Sequence, residues 1–508
     1  MTRRGWWRMA LAAGVLATTP ANAEWIETRT EHFVIAIDAE EAAARDYAVS
    51  LERFDAALRR LYNVPDEPEA ASNPVRIVAL SPRLFDSVCQ CGSVAGYYRA
   101  RAGGSTVFTI YNPKFDKKAR AGWMTSQVVL LHEYGHHFMY AMAPIAYPLW
   151  FSEGFAEFNA NVLFNDDQSI TIGLPANYRA NAIQGDYLNL TVQDFFTSVY
   201  GTPEIYGRGW LMTHYLMLAP ARQGQLATYL RLLNTGKPSL DAAKEAFGDL
   251  GDLYKEMFAY RRGQLAAPVR VPPPDRPVEV TLTRLSPGAA EMMPLWARAM
   301  HGGPRARSDG FARDVERIAE RYPDDARVAA LRLEVTAQAG EASAAEAAAD
   351  RALALDPQSI PAMLAKAAAI ARRATEAKSA DAETWRSVRT WLLKANHQDP
   401  NAALPLLRYY QSFLAAGEQP NAGAITALRR AAVLAPEDRT VRLLLARHWI
   451  EHDDPRAARA LLQPIAYAPH RERGKNGAAE VIALIDADKL AEARTLMGVE
   501  VVKATKDE

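Results

Sequence analysis

Only two cysteines, Cys89 and Cys91, occur in 508 residues, so neither a disulfide framework nor a four-cysteine metal site organises this chain. Charge of one sign is equally lacking: 59 Lys and Arg face 59 Asp and Glu, which excludes the global basic excess that attracts nucleic acid. Beyond the first two dozen residues no apolar run approaches the roughly 18 residues of a membrane helix, so stable membrane insertion is not expected. The 49% apolar and 23% charged content matches folded globular domains rather than disordered or collagenous chains. At roughly 100–200 residues per domain, the length implies two domains or more.

Aromatic residues are scarce in one half only. Residues 24–265 hold 34 Phe, Trp and Tyr in 242 positions, whereas 301–508 hold 9 in 208, while alanine runs the other way, 31 against 50. The first stretch reads as a mixed core around a site. The second reads as closely packed helices, because alanine favours the helix and lets helix axes approach.

The N-terminus has Arg3, Arg4 and Arg8 before an apolar stretch, Met9–Ala17, and a small-x-small ending at Ala21–Ala23. That is the layout of an export signal cleaved before Glu24, too short to span a bilayer. The Arg3–Arg4 pair also fits a twin-arginine signal. Cleavage removes three positive charges, leaving 56 − 59 = −3, and implies a periplasmic or secreted address. In that compartment Cys89 and Cys91 can pair if Gln90–Gly92 turns; two thiols in a loop, or a metal or redox role, are the alternatives.

The segment Thr125–Tyr140 has no proline and carries apolar residues at helical spacing, which predicts a buried helix. Within it stands His132-Glu133-Tyr134-Gly135-His136. Histidines at i and i+4 share one helix face, so both imidazoles reach one ion, with Glu133 beside them as general base. Zinc takes such nitrogens and needs a third protein ligand. Sixteen residues separate His136 from Glu153 in Pro148-Leu-Trp-Phe-Ser-Glu-Gly-Phe-Ala-Glu157-Phe, a second helix-compatible stretch with Ser152 as candidate N-cap. A helical hairpin brings the Glu153 carboxylate to the same ion. Glu157, one turn on, is placed to accept the other N–H of a ligand histidine.

HEYGH followed by WFSEGFAEF resembles the gluzincin metallopeptidases, the clan of thermolysin and aminopeptidase N, and more closely the bacterial peptidase MA-like proteins. The resemblance implies an α+β metallopeptidase domain (a small mixed sheet plus active-site helices), one Zn2+ held by His132, His136 and Glu153, and peptide-bond hydrolysis. The histidine-to-glutamate spacing is two residues shorter than in aminopeptidase N. Tyr206-Gly-Arg-Gly resembles the Tyr-x-Lys-Gly helix start of those enzymes, which implies an oxyanion-stabilising role for Tyr206; Arg208 stands where they have lysine. It also implies an upstream edge strand that holds the substrate backbone, for which Ser105–Tyr111 is the candidate. Nothing reproduces the G-x-M-E-N element, so aminopeptidase specificity does not carry over. His137 and His214 read as packed core histidines rather than ligands.

Ala266–Pro277 is proline-dense and reads as a semi-rigid linker, giving boundaries of 1–23 for the signal, 24–265 for the peptidase domain, 266–290 for the linker and 291–508 for an all-α helical domain. Prolines 323, 357, 400, 436 and 469 follow helix-like runs at intervals of 34, 43, 36 and 33 residues. This resembles tetratricopeptide repeats, which implies stacked helical hairpins that hold a protein substrate or partner. Asp454-Pro455 marks a helix start within the array and Gly498 a stop. The leading expectation is an exported zinc peptidase with partner-binding repeats; the alternatives are a repeat scaffold with a vestigial zinc site, and a zinc amidase acting on cell-wall peptide.

Overall fold

The computed structural model describes residues 24–66, 70–92, 94–113, 123–184, 190–263, 265–302, 306, 308–339, 341–467 and 476–507. The expected signal, 1–23, and Pro469 lie outside the described residues. Strands β1 (Trp25–Arg29) and β2 (Phe33–Asp38) are followed by α1 (Glu41–Tyr62), β3 (Val75–Leu80), α2 (Pro82–Cys89), β4 (Gly96–Arg99) and β5 (Thr106–Ile110). Then come α3 (Ser126–Met142), α4 (Leu149–Ala160), β6 (Val162–Phe164) and β7 (Ile170–Ile172). Six helices complete this body: α5 (Ala180–Gln184), α6 (Val192–Thr197), α7 (Pro203–Leu218), α8 (Gln225–Asn234), α9 (Ser239–Phe247) and α10 (Leu250–Arg262). After β8 (Val269–Val271) and β9 (Thr281–Arg284), every described element is a helix.

Those helices are α11 (Pro287–His301), α12 (Asp309–Arg321), α13 (Ala326–Ala339), α14 (Ala342–Leu355), α15 (Ile360–Glu376), α16 (Ala382–Gln398), α17 (Ala403–Ala415) and α18 (Ala422–Leu434), then α19 (Arg439–Glu451), α20 (Pro455–Ala466), α21 (Gly477–Asp486) and α22 (Leu490–Asp507). Most pack mainly against their chain neighbours, but α11 packs most against α13 and α22 most against α19. The marker prolines 323, 357, 400 and 436 follow α12, α14, α16 and α18, every second helix, as a hairpin repeat requires. Asp454 caps α20, accepting from the Ala457 N–H, with Pro455 at its first position. Gly498 does not end a helix: α22 runs through it, because Met497 and Val501 on either side are buried and tertiary packing outweighs the glycine's poor helix propensity.

The main sheet is mixed, in the order β4-β5-β3-β2-β1-β9, with β3 parallel to β2 and β5 and the other pairs antiparallel. Period-two alternation divides its side chains between two layers. Ile35, Ile37, Ile77, Ala79 and Val107 join a core with Leu130, Tyr134, Phe138, Trp150 and Phe158 of α3 and α4. Ala36, Val78, Leu80 and Phe108 face the other way and pack with Met292, Trp296, Phe311 and Val315 of α11 and α12. The sheet is therefore covered by the site helices on one face and by the start of the helical array on the other.

That burial corrects two expectations. The proline-dense segment is no spacer: β8 pairs with β7 and β9 with β1, so it closes both sheets, with Pro272–Pro274 between the strands where a missing N–H costs no ladder bond. The strand within Ser105–Tyr111 is not the edge either. β5 lies between β4 and β3, and β4 is the edge strand. Cys89 and Cys91 are joined, their Cα atoms 5.2 Å apart, across Gln90 in the left-handed region at φ 54°. Among the described residues no helix is long and apolar enough to cross a membrane.

Candidate metal centre

The helix that carries HEYGH begins where Thr125 accepts the Val128 N–H at 3.0 Å and is held by its buried Leu130, Leu131, Tyr134 and Phe138. α4 starts earlier than the sequence suggests. Pro148 precedes its first residue, so Ser152 is no N-cap but lies inside the helix, fully buried. Small residues set the helix spacing. A Cβ at Gly135 would lie 3.3 Å from the Ala156 Cα, and one at Gly154 would lie 2.3 Å from the Gly209 carbonyl oxygen. α3, α4 and α7 thus meet backbone to backbone, which brings His132, His136, Glu153 and Tyr206 to one point.

The convergence is close. His132 Nε2 and His136 Nε2 stand 3.2 Å apart, and Glu153 Oε2 lies 3.3 Å from the first and 3.5 Å from the second. A tetrahedral zinc with bonds of about 2.0–2.2 Å separates its ligand atoms by about 3.3–3.5 Å. The triangle of donors fits that ion, and two imidazoles plus a carboxylate are the donor set zinc accepts at a catalytic site. Burial opposes a charged His132 ring, yet its hydrogen bond to Glu153 and the charges of Glu157 and Glu133 raise its pKa. Three carboxylates, Glu133, Glu153 and Glu157, act on His132, so the site favours a cation.

Glu157 lies 3.6 Å from His132 Nδ1. Its oxygens also accept from other neighbours: Oε1 from Arg179 Nε at 3.0 Å and Nη2 at 2.6 Å, and Oε2 from the Tyr178 hydroxyl at 2.5 Å. Ser152 Oγ stands 3.4 Å from His136 Nδ1, so each ligand histidine has a polar neighbour on its far nitrogen. The Tyr206 ring lies nearly parallel to that of His132, centroids 6.0 Å apart, with the Arg179 guanidinium 4.7 Å from its centroid. Burial first, then the charges of Glu153 and Glu133, push the Tyr206 pKa up, so the hydroxyl keeps its proton. β4 passes beside Glu133: a Cβ at Gly96 would lie 3.5 Å from the Glu133 Cγ.

His137 and His214 stand outside the triad. His137 Nδ1 meets the Tyr98 hydroxyl at 3.1 Å, and burial drives its pKa down to about 3. His214 bonds the Tyr260 hydroxyl at 2.8 Å among Phe158 and Trp210, its pKa pushed down by burial to about 4. Neither Tyr178 nor Arg179 is marked by a motif, and Ser152, within WFSEGFAEF, reads from sequence only as an N-cap; the adjacent Tyr178-Arg179 pair after β7 is the sole hint of the first two, and no fixed spacing ties it to Glu157.

A second buried group, His32, Glu52 and Asp55, also brings three donor atoms close together. Its histidine is already saturated, with Nδ1 2.8 Å from Glu52 and Nε2 3.1 Å from Asp66, and Arg59 sits against Asp55 at 2.7 Å. No protein-family model matches the chain, and no curated protein matches it.

Proposed function

We propose that the chain is an exported zinc-dependent peptidase of the gluzincin kind, with His132, His136 and Glu153 holding one Zn2+ and a peptide or protein as substrate. The observation that supports it most is the triangle of 3.2, 3.3 and 3.5 Å between ligand atoms on two helices that HEYGH and WFSEGFAEF supply. A zinc ion there would supply Lewis acidity, lowering the pKa of water and polarising the scissile carbonyl.

The chain's own residues do the rest. Glu133, adjacent to the ligands and exposed by only 8%, takes the proton of the attacking water and hands it to the leaving amine. The Tyr206 hydroxyl, still protonated, donates to the oxygen on which charge develops. Glu157, fixed by Arg179 and Tyr178, orients the His132 ring. The edge strand β4, beside Glu133, pairs with an extended substrate backbone, in the manner of strand addition. The helical array, with its hairpin architecture, serves to engage a protein substrate or partner.

The test is Glu133→Gln. The variant should retain one zinc per chain by elemental analysis while casein cleavage falls by roughly 10²-fold or more, as expected for loss of a general base. Wild-type turnover in that variant would remove the assignment.

A further inference from the structure

The array reaches into the body that carries the metal centre. At the turn before α19, Asp438 caps the helix, accepting from the Val441 N–H, and its other oxygen accepts the Ala102 N–H at 2.7 Å. Its neighbour Glu437, with a side chain 8% exposed, accepts from Ser105 Oγ at 2.8 Å. Two carboxylates of the array therefore grip the loop joining β4 to β5, and Leu404 of α17 lies against Gly103 of that loop.

The bonds continue inward. Ser105 Oγ accepts from the Tyr98 hydroxyl at 3.3 Å, and that oxygen meets His137 Nδ1 at 3.1 Å. His137, Tyr98, Ser105 and Glu437 thus form one continuous series of hydrogen bonds, the arrangement in which such bonds reinforce one another. Tyr98 belongs to the edge strand, and His137 follows the ligand His136. The series thus crosses from the helical array, through β4, to the metal helix.

Resting on the peptidase reading, we propose that Glu437 is a positioning residue for the substrate-holding edge: the array holds β4 at its fixed distance from α3, so that the strand presents its outer backbone groups beside Glu133. The array is in this sense part of the active site rather than an appended recruiter. The effect falls on substrate binding, since the zinc ligands are fixed separately by α3, α4, Glu157 and Ser152.

The experiment uses the full chain and fluorescein-labelled casein. Glu437→Ala and Ser105→Ala should each raise KM roughly 5- to 10-fold, the worth of one buried hydrogen bond, with kcat changed by no more than about twofold. Bound zinc should stay at the wild-type level, and amide exchange of Tyr97–Arg99 should accelerate roughly 10-fold. Glu437→Gln, which still accepts from Ser105, should restore wild-type KM and exchange. Unchanged KM and exchange in Glu437→Ala would overturn the proposal, as would a fall in kcat and zinc with KM unmoved. If Glu437→Ala does not fold, Ser105→Ala against Glu437→Gln decides the same question. A wild-type chain that holds zinc yet leaves casein intact defeats the peptidase reading, while the exchange comparison still judges whether Glu437 holds the strand.

Discussion

Two buried clusters flank the same helix, and each offers a histidine with carboxylates around it. At the candidate metal centre the ring nitrogens of His132 and His136 converge with one Glu153 oxygen. On the other side, Tyr134 donates to Asp55 at 2.5 Å, and His32, Glu52, Asp55, Arg59 and Asp66 form a closed set. Residue type does not distinguish them; the placement of cations does. In the second cluster Arg59 and the charged His32 ring neutralise the carboxylates, so its three close donor atoms are already engaged with one another and with Arg59. In the first, Arg179 binds only Glu157, and the remaining negative charge faces the ligand nitrogens. Of the two buried groups, the one whose arginine sits away from the converging nitrogens is the one left able to take a metal ion.

The largest expected difference comes from breaking the ion-pair cluster. Asp55→Ala leaves Arg59 and Tyr134 buried without their acceptor and should cost about 3–5 kcal/mol in denaturant unfolding, while zinc content stays unchanged. If zinc disappears with Asp55, the two clusters are not separate in function.

A pH titration sharpens the contrast next. Burial disfavours a charged His32, but the Glu52 hydrogen bond and the Asp55 and Glu52 charges outweigh it, raising its pKa to about 9. A raised folded-state pKa means that this contribution is fully present below pH about 6.5 and is lost as pH rises through about 9, worth about 3 kcal/mol at most. Thermal unfolding followed between those pH values should show the decline, and His32→Asn should flatten it. A decline that persists unchanged in the variant contradicts the assignment.

The smallest effect belongs to the support of the metal ligand. Glu157→Gln keeps the shape but weakens the hold on His132 and the pairing with Arg179, and zinc affinity measured by competition with a chelator should fall roughly 10- to 100-fold. No change in affinity would mean that Glu157 serves the fold alone.

Much of this centre was readable in the chain. The i, i+4 histidines, Glu133, Glu153 and Glu157 lie on two helices whose period is visible in the sequence, so local periodicity carried them; Tyr206, at the start of a third helix, came only through the resemblance to the Tyr-x-Lys-Gly element. The alanine-rich half announced its helices and, through its prolines, the rhythm of their pairs. What stayed hidden was non-local. Nothing near Pro272–Pro274 tells that β9 will pair with β1 at the start of the body, or that β4 rather than β5 ends the sheet, because strand order is decided by burial of two faces at once. Arg179, Ser152, Glu437 and the His32 cluster are isolated polar residues whose partners are distant in sequence. Their roles exist only once the helices have packed, and that packing turns on Gly135, Gly154 and Gly209, which carry no chemistry of their own.

The most direct measurement is the zinc content, by elemental analysis, of the full chain, of His136→Ala and of His32→Ala, each purified without added chelator. The account predicts one zinc per chain in the wild type, one in His32→Ala and none in His136→Ala. Zinc retained in His136→Ala, or lost in His32→Ala while that variant stays folded, would contradict it.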